Sequence, residues 1–416
     1  MIPRFKPAIG ATELAAAATV SGAGVPEFER AFAQTFGASH AIAFSYGRTA
    51  LWALFKALGI EGAEIVLPAY TCVVAAHAVV LSGNVCRFVD ASLADYGMNL
   101  GELEHAITPR TRAVIPTHVF GYPMDTDGVR AIVAAAERRF GTRILSIQDC
   151  AHSFAAMREG RPVCGEGDAA FFGLGISKLM TSIFGGMLTT NDDTLAARVR
   201  QFRDRATRPA TVAKSVQRRA YLAAAAAAFS APAYGMVRWL ESETRLLDGM
   251  SKAYHLDGII HFPPDYLDAM SDVEARVGLV QLARYSAIVE ERRTHARFYD
   301  GAFAGIRGWD LAPIVDGATY SHYVIRVPNR SEIRRRLLQR GVELGEIIQY
   351  SVPHMTPYNR DTPPGAYPNA KLASERTINV PVYTGLTASD RVRIADALIE
   401  ASTAYHADAR PVAYGR

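Results

Sequence analysis

The sequence predicts an α/β protein: a doubly wound, mostly parallel sheet followed by a smaller α+β domain. Three observations predict it. Between about residues 40 and 195, short apolar runs alternate with helical stretches, the pattern of strands joined by crossover helices. At 416 residues the chain exceeds one ordinary hydrophobic core, so two domains are expected. From about residue 275 the pattern changes to one long amphipathic helix, then a strand and two further helices.

In order, AIAFS, EIVLPA, VCRFVD, AVIPTHVF, RILSIQD, AAFFGL and GMLTTN read as the seven strands of the sheet. TALWALFKALGI, AAHAVVLSG and DTDGVRAIVAAAERRFG read as helices between them, and LAARVRQFRDRA as a basic helix whose arginines form a solvated face. GLVQLARYSAIVEERRTHARFYDGAF is the long helix, HYVIRVP a strand, SEIRRRLLQRGV and SDRVRIADALIEAST the last helices, and HADARPVAYGR a loose tail. The expected division is 1–245 for the large domain and 246–416 for the small one.

Residues 211–265 break the pattern and read as an alanine-rich helical insertion. Ala220 to Val237 is uncharged and bounded by Arg218, Arg219 and Arg238. Its length approaches the roughly 18 apolar residues a membrane helix needs. It is mostly alanine, however, with Ser230 and Pro232 inside it, so two helices packed on protein are expected, with Pro232 as the break. Contact with a membrane surface, helped by Tyr234 and Trp239, is the alternative.

Composition narrows the function. A hydrophobic share of 49% with 21% charged residues describes a globular enzyme rather than a disordered chain. The net charge of +4 is small, and no basic stripe interleaved with aromatics marks a nucleic-acid surface. Cys72, Cys86, Cys150 and Cys164 show no C-x-x-C spacing, which argues against zinc or an iron–sulfur cluster and fits a reducing cytoplasm. MIPRFKPAIG has no charged-then-apolar signal pattern, so a cytoplasmic protein is expected.

The chemistry gathers at Lys178 and Asp149. Lys178 follows the apolar run AAFFGLGIS and precedes a Gly-Gly turn and a new strand; Asp149 ends the buried strand RILSIQD. A lysine so placed can hold an aldehyde as a Schiff base, and a carboxylate so placed can keep a heterocyclic nitrogen protonated. Together they provide what pyridoxal 5'-phosphate (PLP) needs. SYGRTAL, where a strand turns into a helix, offers free N–H groups and the positive end of a helix dipole to a phosphate.

These segments, with KPAIGATELAAAATVSGAGVPEFERAFAQTFG, PAYTCVVAAHAVVLSG, QDCAHSF, ARVGLVQLARY and INVPVYTGLTASD in the same order, resemble the DegT/StrS family of PLP-dependent sugar aminotransferases. The resemblance implies the fold-type I architecture and a homodimer. It also implies transfer of an amino group from a donor, expected to be glutamate, to the carbonyl of a nucleotide-linked keto sugar. Gly47, Arg48 and Thr49 would hold the phosphate, with Arg48 where the family usually has threonine. His152 would face the ring hydroxyl. Cys72 stands where an aromatic usually covers the ring, and Tyr70 is the nearby substitute. Gly173 replaces a phosphate-binding serine, and Leu267 replaces an asparagine that reaches across the dimer; Ser177, Arg48 and residues of the 211–265 insertion are the candidates to compensate. His118, Tyr122, Tyr350 and His354 lie in segments resembling substrate-facing loops. The retained lysine sets the chain apart from the family's dehydratase branch. A non-sugar or lipid-like carbonyl substrate and a non-catalytic member remain the alternatives.

Overall fold

The computed structural model describes residues 1–20, 22, 24–230, 233–236, 258–311 and 314–408. Its strands are β1 (His40–Phe44), β2 (Glu64–Pro68), β3 (Val85–Val89), β4 (Thr111–Val114), β5 (Leu145–Asp149), β6 (Met157–Arg158), β7 (Arg161–Pro162), β8 (Ala169–Gly173), β9 (Gly186–Thr190), β10 (Asp310–Leu311), β11 (Tyr323–Arg326) and β12 (Thr377–Val380). Seven of them form one sheet in the order β1-β9-β8-β5-β4-β2-β3. β9 runs antiparallel to both its neighbours, and the other pairs are parallel. β6 and β7 form a small hairpin apart from it.

Side-chain alternation along the strands builds the layers. Ile42 and Phe44 join Ile65, Leu67 and Phe171 on one face, beneath helices Gly47–Leu58, Val73–Leu81 and Asp193–Ala206. Ala41, Ala43, Ala170 and Phe172 turn to the other, against Phe28, Phe32 and Phe36 of helix Val25–Phe36. Helix Thr126–Phe140 buries Val129 and Val133 against Val66 and Val114. Its ends follow the sequence: Asp125 accepts from Gly128 N–H at 3.1 Å, and Gly141 closes it with φ 64°.

The fourth predicted strand is shorter than AVIPTHVF. β4 stops at Val114, because Pro116 cannot donate to a ladder and Phe120 sits at φ 60° in a 3₁₀ turn. The chain beyond still runs beside β5, with a bridge from Thr117 to Asp149.

Helix Asp272–Phe303, capped by the reciprocal Ser271–Glu274 pair, joins the two cores. Leu282, Tyr285 and Ile288 pack with the large sheet's helices, whereas Ala296, Tyr299 and Phe303 pack with the C-terminal core. That second core sits on the antiparallel sheet β10-β11-β12 and helices Arg330–Gln339 and Ala388–Asp408. The expected boundary at 245/246 falls outside the described residues, as does the tail from 409. The chain's first residues, assigned above to the large domain, pack with the small one: Ile2 bridges Val342 and donates to Gly341 O at 2.8 Å.

The apolar run from Ala220 is the second half of a longer helix, Val212–Ala228, whose first half is charged. That helix buries Lys214, Arg218 and Leu222 and ends at Phe229. Residues 233–236 form a separate helical turn, so the run is interrupted as expected; Pro232 itself lies outside the described residues, with Arg238 and Trp239. Phe229 packs on Phe5 (4.9 Å between ring centres) and on Tyr234 (5.7 Å), which is buried. Among the described residues no helix is long and apolar enough to cross a membrane.

Candidate active site

Lys178 lies on the loop between β8 and β9, its N–H donating to Gly175 O at 3.0 Å. The neighbouring Gly173 makes room for it. A Cβ at that position would stand 3.2 Å from Lys178 Cε, a contact tighter than ordinary packing. A serine there would crowd the lysine, which gives the glycine a physical reason.

Asp149 ends β5, 4% exposed, and its Oδ1 accepts from Ala151 N–H at 3.0 Å. Burial pushes its carboxyl up to about 6, opposed by that N–H and by the charge of Lys178. An aspartate so enclosed favours a cation beside it. Thr117, bridged to Asp149, has a buried hydroxyl with no partner among the described residues.

His152 is buried, and its Nδ1 accepts from Phe120 N–H at 3.3 Å. That contact leaves Nε2 as the donor of a neutral ring. Burial first, then the charges of Lys178 and His322, hold it well below the usual histidine range. His322, from the small domain, faces it with ring centres 5.3 Å apart. Two loops with left-handed residues, Phe120 and Tyr320, clamp this junction: Thr319 N–H donates to Gly121 O (3.0 Å) and His322 N–H to Phe120 O (3.3 Å). Conformations of this kind cost about 1–3 kcal/mol each and persist where surrounding structure enforces them.

The strand–turn–helix at SYGRTAL forms as its sequence predicts. Helix Gly47–Leu58 starts directly after β1, and its first intrahelical bond runs from Ala50 N–H to Tyr46 O. The N–H groups of Gly47, Arg48 and Thr49 therefore have no acceptor within the helix. Thr49 is buried, 3.5 Å from Ser45 Oγ. Gly47 is dictated by packing: a Cβ would lie 2.7 Å from Phe172 O, and a Cβ on Gly186 would lie 2.2 Å from Gly47 N. Arg48 extends over the Tyr46 ring at 5.6 Å, with its Nη1 buried and unpartnered among the described residues. Tyr46 is anchored in turn by a buried polar chain: its hydroxyl donates to Asp265 (2.7 Å), which accepts from Arg218 (2.7 Å), which also donates to Glu274 (2.9 Å).

These features fit PLP: a buried acid wanting a cation, a lysine within its field, a helix N-terminus, and orphaned polar atoms at Arg48 and Thr117.

Three sequence candidates belong elsewhere. Tyr70 is fully buried among Tyr96 and Phe120, 6.0 Å from each, in the core that continues into the small domain, so it is no ring cover. His118 is a packed residue: Nδ1 accepts from Met124 N–H (3.1 Å) and Nε2 pairs with Gln148 Oε1 (3.0 Å). With both nitrogens engaged it has nothing left for a substrate. Tyr122 is buried against Tyr96 and Tyr320 in the same core as Tyr70. Cys72 precedes helix Val73–Leu81 as its N-cap, and the Tyr350 hydroxyl accepts from Val73 N–H beside it (3.1 Å). His354 lines a separate cavity with Lys371 and Glu375. Leu267 accepts from Arg208 N–H through its carbonyl.

The cavity at Lys178 is lined as well by residues that sequence reasoning missed: Arg4, Lys6, Arg292, His322 and Asn379, with Ser177 beside the lysine.

Fold and site together define a PLP-dependent aminotransferase of fold type I. The sequence pattern of the DegT/DnrJ/EryC1/StrS aminotransferase family matches residues 8–230 and 244–399, and the chain belongs to that family. The match includes most of the stretch 211–265 and leaves out only 231–243. Solved structures share the fold. The sugar aminotransferase CalS13 from Micromonospora echinospora is 23% identical, with a TM-score of 0.76, covering 96% of this chain and 100% of its own. The aminotransferase TlmJ from Streptoalloteichus hindustanus is 25% identical at a TM-score of 0.75, with 98% and 100% covered. Spr1654 from Streptococcus pneumoniae in its PLP-form is 22% identical at a TM-score of 0.75, with 97% and 99% covered.

Proposed function

We propose that this enzyme moves an amino group from an amino-acid donor, glutamate, to the carbonyl of a nucleotide-linked keto sugar, and that it acts as a homodimer. The observation that carries the chemistry is the placement of Lys178 within the field of two buried groups, Asp149 and His152. The keto-sugar acceptor rests on family membership and on relatives such as CalS13, described as a sugar aminotransferase.

PLP, when bound, supplies an electron sink for the substrate carbon. Asp149 would hold the positive charge of the ring nitrogen, which relieves the cost of its own burial. His152 Nε2–H would donate to the ring hydroxyl. Gly47, Arg48 and Thr49 would bind the phosphate through main-chain N–H groups and the guanidinium. Lys178 Nζ, as a free amine, would take a proton from the substrate carbon as general base and deliver it, as general acid, to the carbon on the other side of the transferring nitrogen. The clamp of the 118–122 and 319–322 loops closes one side of the site.

The test is the visible spectrum of purified protein, then borohydride trapping and a screen of amino donors and keto acceptors. A yellow protein with the trapped group on Lys178, and turnover of a nucleotide keto sugar, is expected. A colourless protein that PLP does not alter would end the reading.

A further inference from the structure

The cavity at Lys178 has an unusual lining. Arg4, Lys6 and Arg292 join Lys178 there, and among the described residues no acidic side chain lines it. Arg4 approaches Glu343 at 3.9 Å, but that carboxylate is outside the cavity lining and also accepts from Tyr234. Arg292 is 6% exposed. Its Nη1 donates to Tyr320 O (3.3 Å) and Ser321 O (2.8 Å), while its Nε is buried with no partner among the described residues. Glu291, next to it on the helix, turns to Gly385 N–H (2.5 Å) and His295 (3.6 Å). Asn379, 4% exposed, shows the same pattern from β12. Its Oδ1 accepts from Ile347 N–H at 2.8 Å, and its Nδ2 has no partner among the described residues.

Two residues of one cavity lining, each with a buried donor that lacks an acceptor among the described residues, are costly in isolation. A buried donor whose hydrogen bond is unmade is costly, more so when the group is charged. A buried guanidinium without a carboxylate costs more still. Burial already pulls Arg292 down to about 10. An oxyanion in the cavity would satisfy both donors and the charge at once.

We infer that Arg292 and Asn379, with the half-buried Arg4 and Lys6, form a subsite for an anionic substrate group, a carboxylate or a phosphate, close to the atom that reacts at Lys178. Two sources supply that chemistry: the α-carboxylate of the amino donor, one bond from the reacting carbon, and the phosphate groups of a nucleotide-linked acceptor. The inference deepens the aminotransferase reading by assigning its anion-recognition residues, and it rests on that reading for the identity of the ligand.

The test uses the PLP-loaded enzyme and the variants Arg292→Gln, Asn379→Asp and Lys6→Gln. Asn379→Asp keeps the acceptor for Ile347 N–H and places a negative charge where the anion would sit. It therefore remains informative if Arg292→Gln, which also loses the bonds to residues 320 and 321, fails to fold. The first arm compares L-glutamate with its α-amide, L-isoglutamine, in the donor half-reaction followed by absorbance. The second measures binding of thymidine diphosphate and of thymidine by calorimetry. The expected result is a ten- to hundredfold weaker response to one anion in Arg292→Gln and Asn379→Asp, a smaller one in Lys6→Gln, and little change for the uncharged analogue. Loss confined to glutamate assigns the subsite to the donor carboxylate; loss confined to the diphosphate assigns it to the acceptor. Folded variants that respond to both anions as wild type does would overturn the inference. Calorimetry with maleate, an anion without an amine, separates it from the function: if no donor reacts but maleate still binds in an Arg292-dependent way, the transaminase reading fails and the anion subsite stands.

Discussion

Lys178 has two sides, and they are built differently. On one side the ends of β1 and β5 present Gly47, Arg48, Thr49, Asp149 and His152, all within one continuous run of strands and helices. On the other, Arg4, Arg292, His322 and Asn379 arrive from the N-terminal segment, the long helix and the small sheet. In the reading proposed above, the first side would carry the cofactor chemistry and the second would hold the anionic part of the substrate. On that reading the difference teaches that reaction and specificity are drawn from different parts of the fold, so each could vary alone.

The sharpest way to break this comparison is Lys178→Ala. It should lower turnover by at least about a thousandfold, the upper range for loss of a general acid–base group, while the anion affinities of the opposite wall stay within about twofold. Single-turnover rates and calorimetry give both numbers. A comparable loss in both would mean the two sides act as one.

Asp149→Asn comes next. It should reduce turnover by about a hundredfold or more, because an amide cannot hold the charge of the ring nitrogen. It also has a signature in the cofactor-free protein. The folded carboxyl titrates at about 6, above its unfolded value of about 4, so the fold favours the neutral acid. That contribution is complete below about pH 4 and is lost as pH rises through about 6. Unfolding measurements should show wild type losing up to about 3 kcal/mol relative to Asp149→Asn over this window. Bound cofactor should close the gap, and parallel pH curves for the two proteins would show that Asp149 is not enclosed as described.

Arg48→Ala should weaken PLP binding about ten- to hundredfold, as expected for a charge-assisted hydrogen bond to phosphate, with a smaller effect on turnover of loaded enzyme. Titration of the cofactor-free protein measures it. Unchanged affinity would leave Arg48 as a partner of Tyr46 alone.

The smallest expected effect concerns the alanine-rich helix. Intact protein and Ser230→Asp should both stay out of anionic liposomes in flotation, since Leu222, Phe229 and Tyr234 are turned toward protein. Flotation of the first and not the second would move that helix to a lipid surface.

Much of the first side was legible in the sequence because its signals are local. Strand alternation, the Gly-Arg-Thr turn and the Asp149-to-Lys178 spacing lie within short windows, and tertiary packing agrees with them. Tyr70, His118 and Tyr122 are packed in the interior, where the sequence suggested cofactor- or substrate-facing positions. Each lies near a site segment in sequence, but the chain there turns its side chain into the core. For His118 and Tyr122, Pro116 and the left-handed Phe120 bend the chain there, and a period-two reading cannot anticipate it. The second side was invisible for the opposite reason. Arg292 and Asn379 stand more than a hundred residues from Lys178, each on an ordinary amphipathic element. Only their unmatched donors, seen in three dimensions, set them apart.

Gly47 and Gly186 touch main chain to main chain. Most tight spots in a protein interior admit trade: a residue grows, its neighbour shrinks, and the lineage drifts through pairs of exchanges. Here the obstacle to any side chain is Phe172 O in one case and Gly47 N in the other, atoms that every amino acid carries. No partner substitution can make room. The seam where the anion-binding turn meets the antiparallel strand is therefore closed to compensatory change, and a library randomised at both positions should return glycine at each.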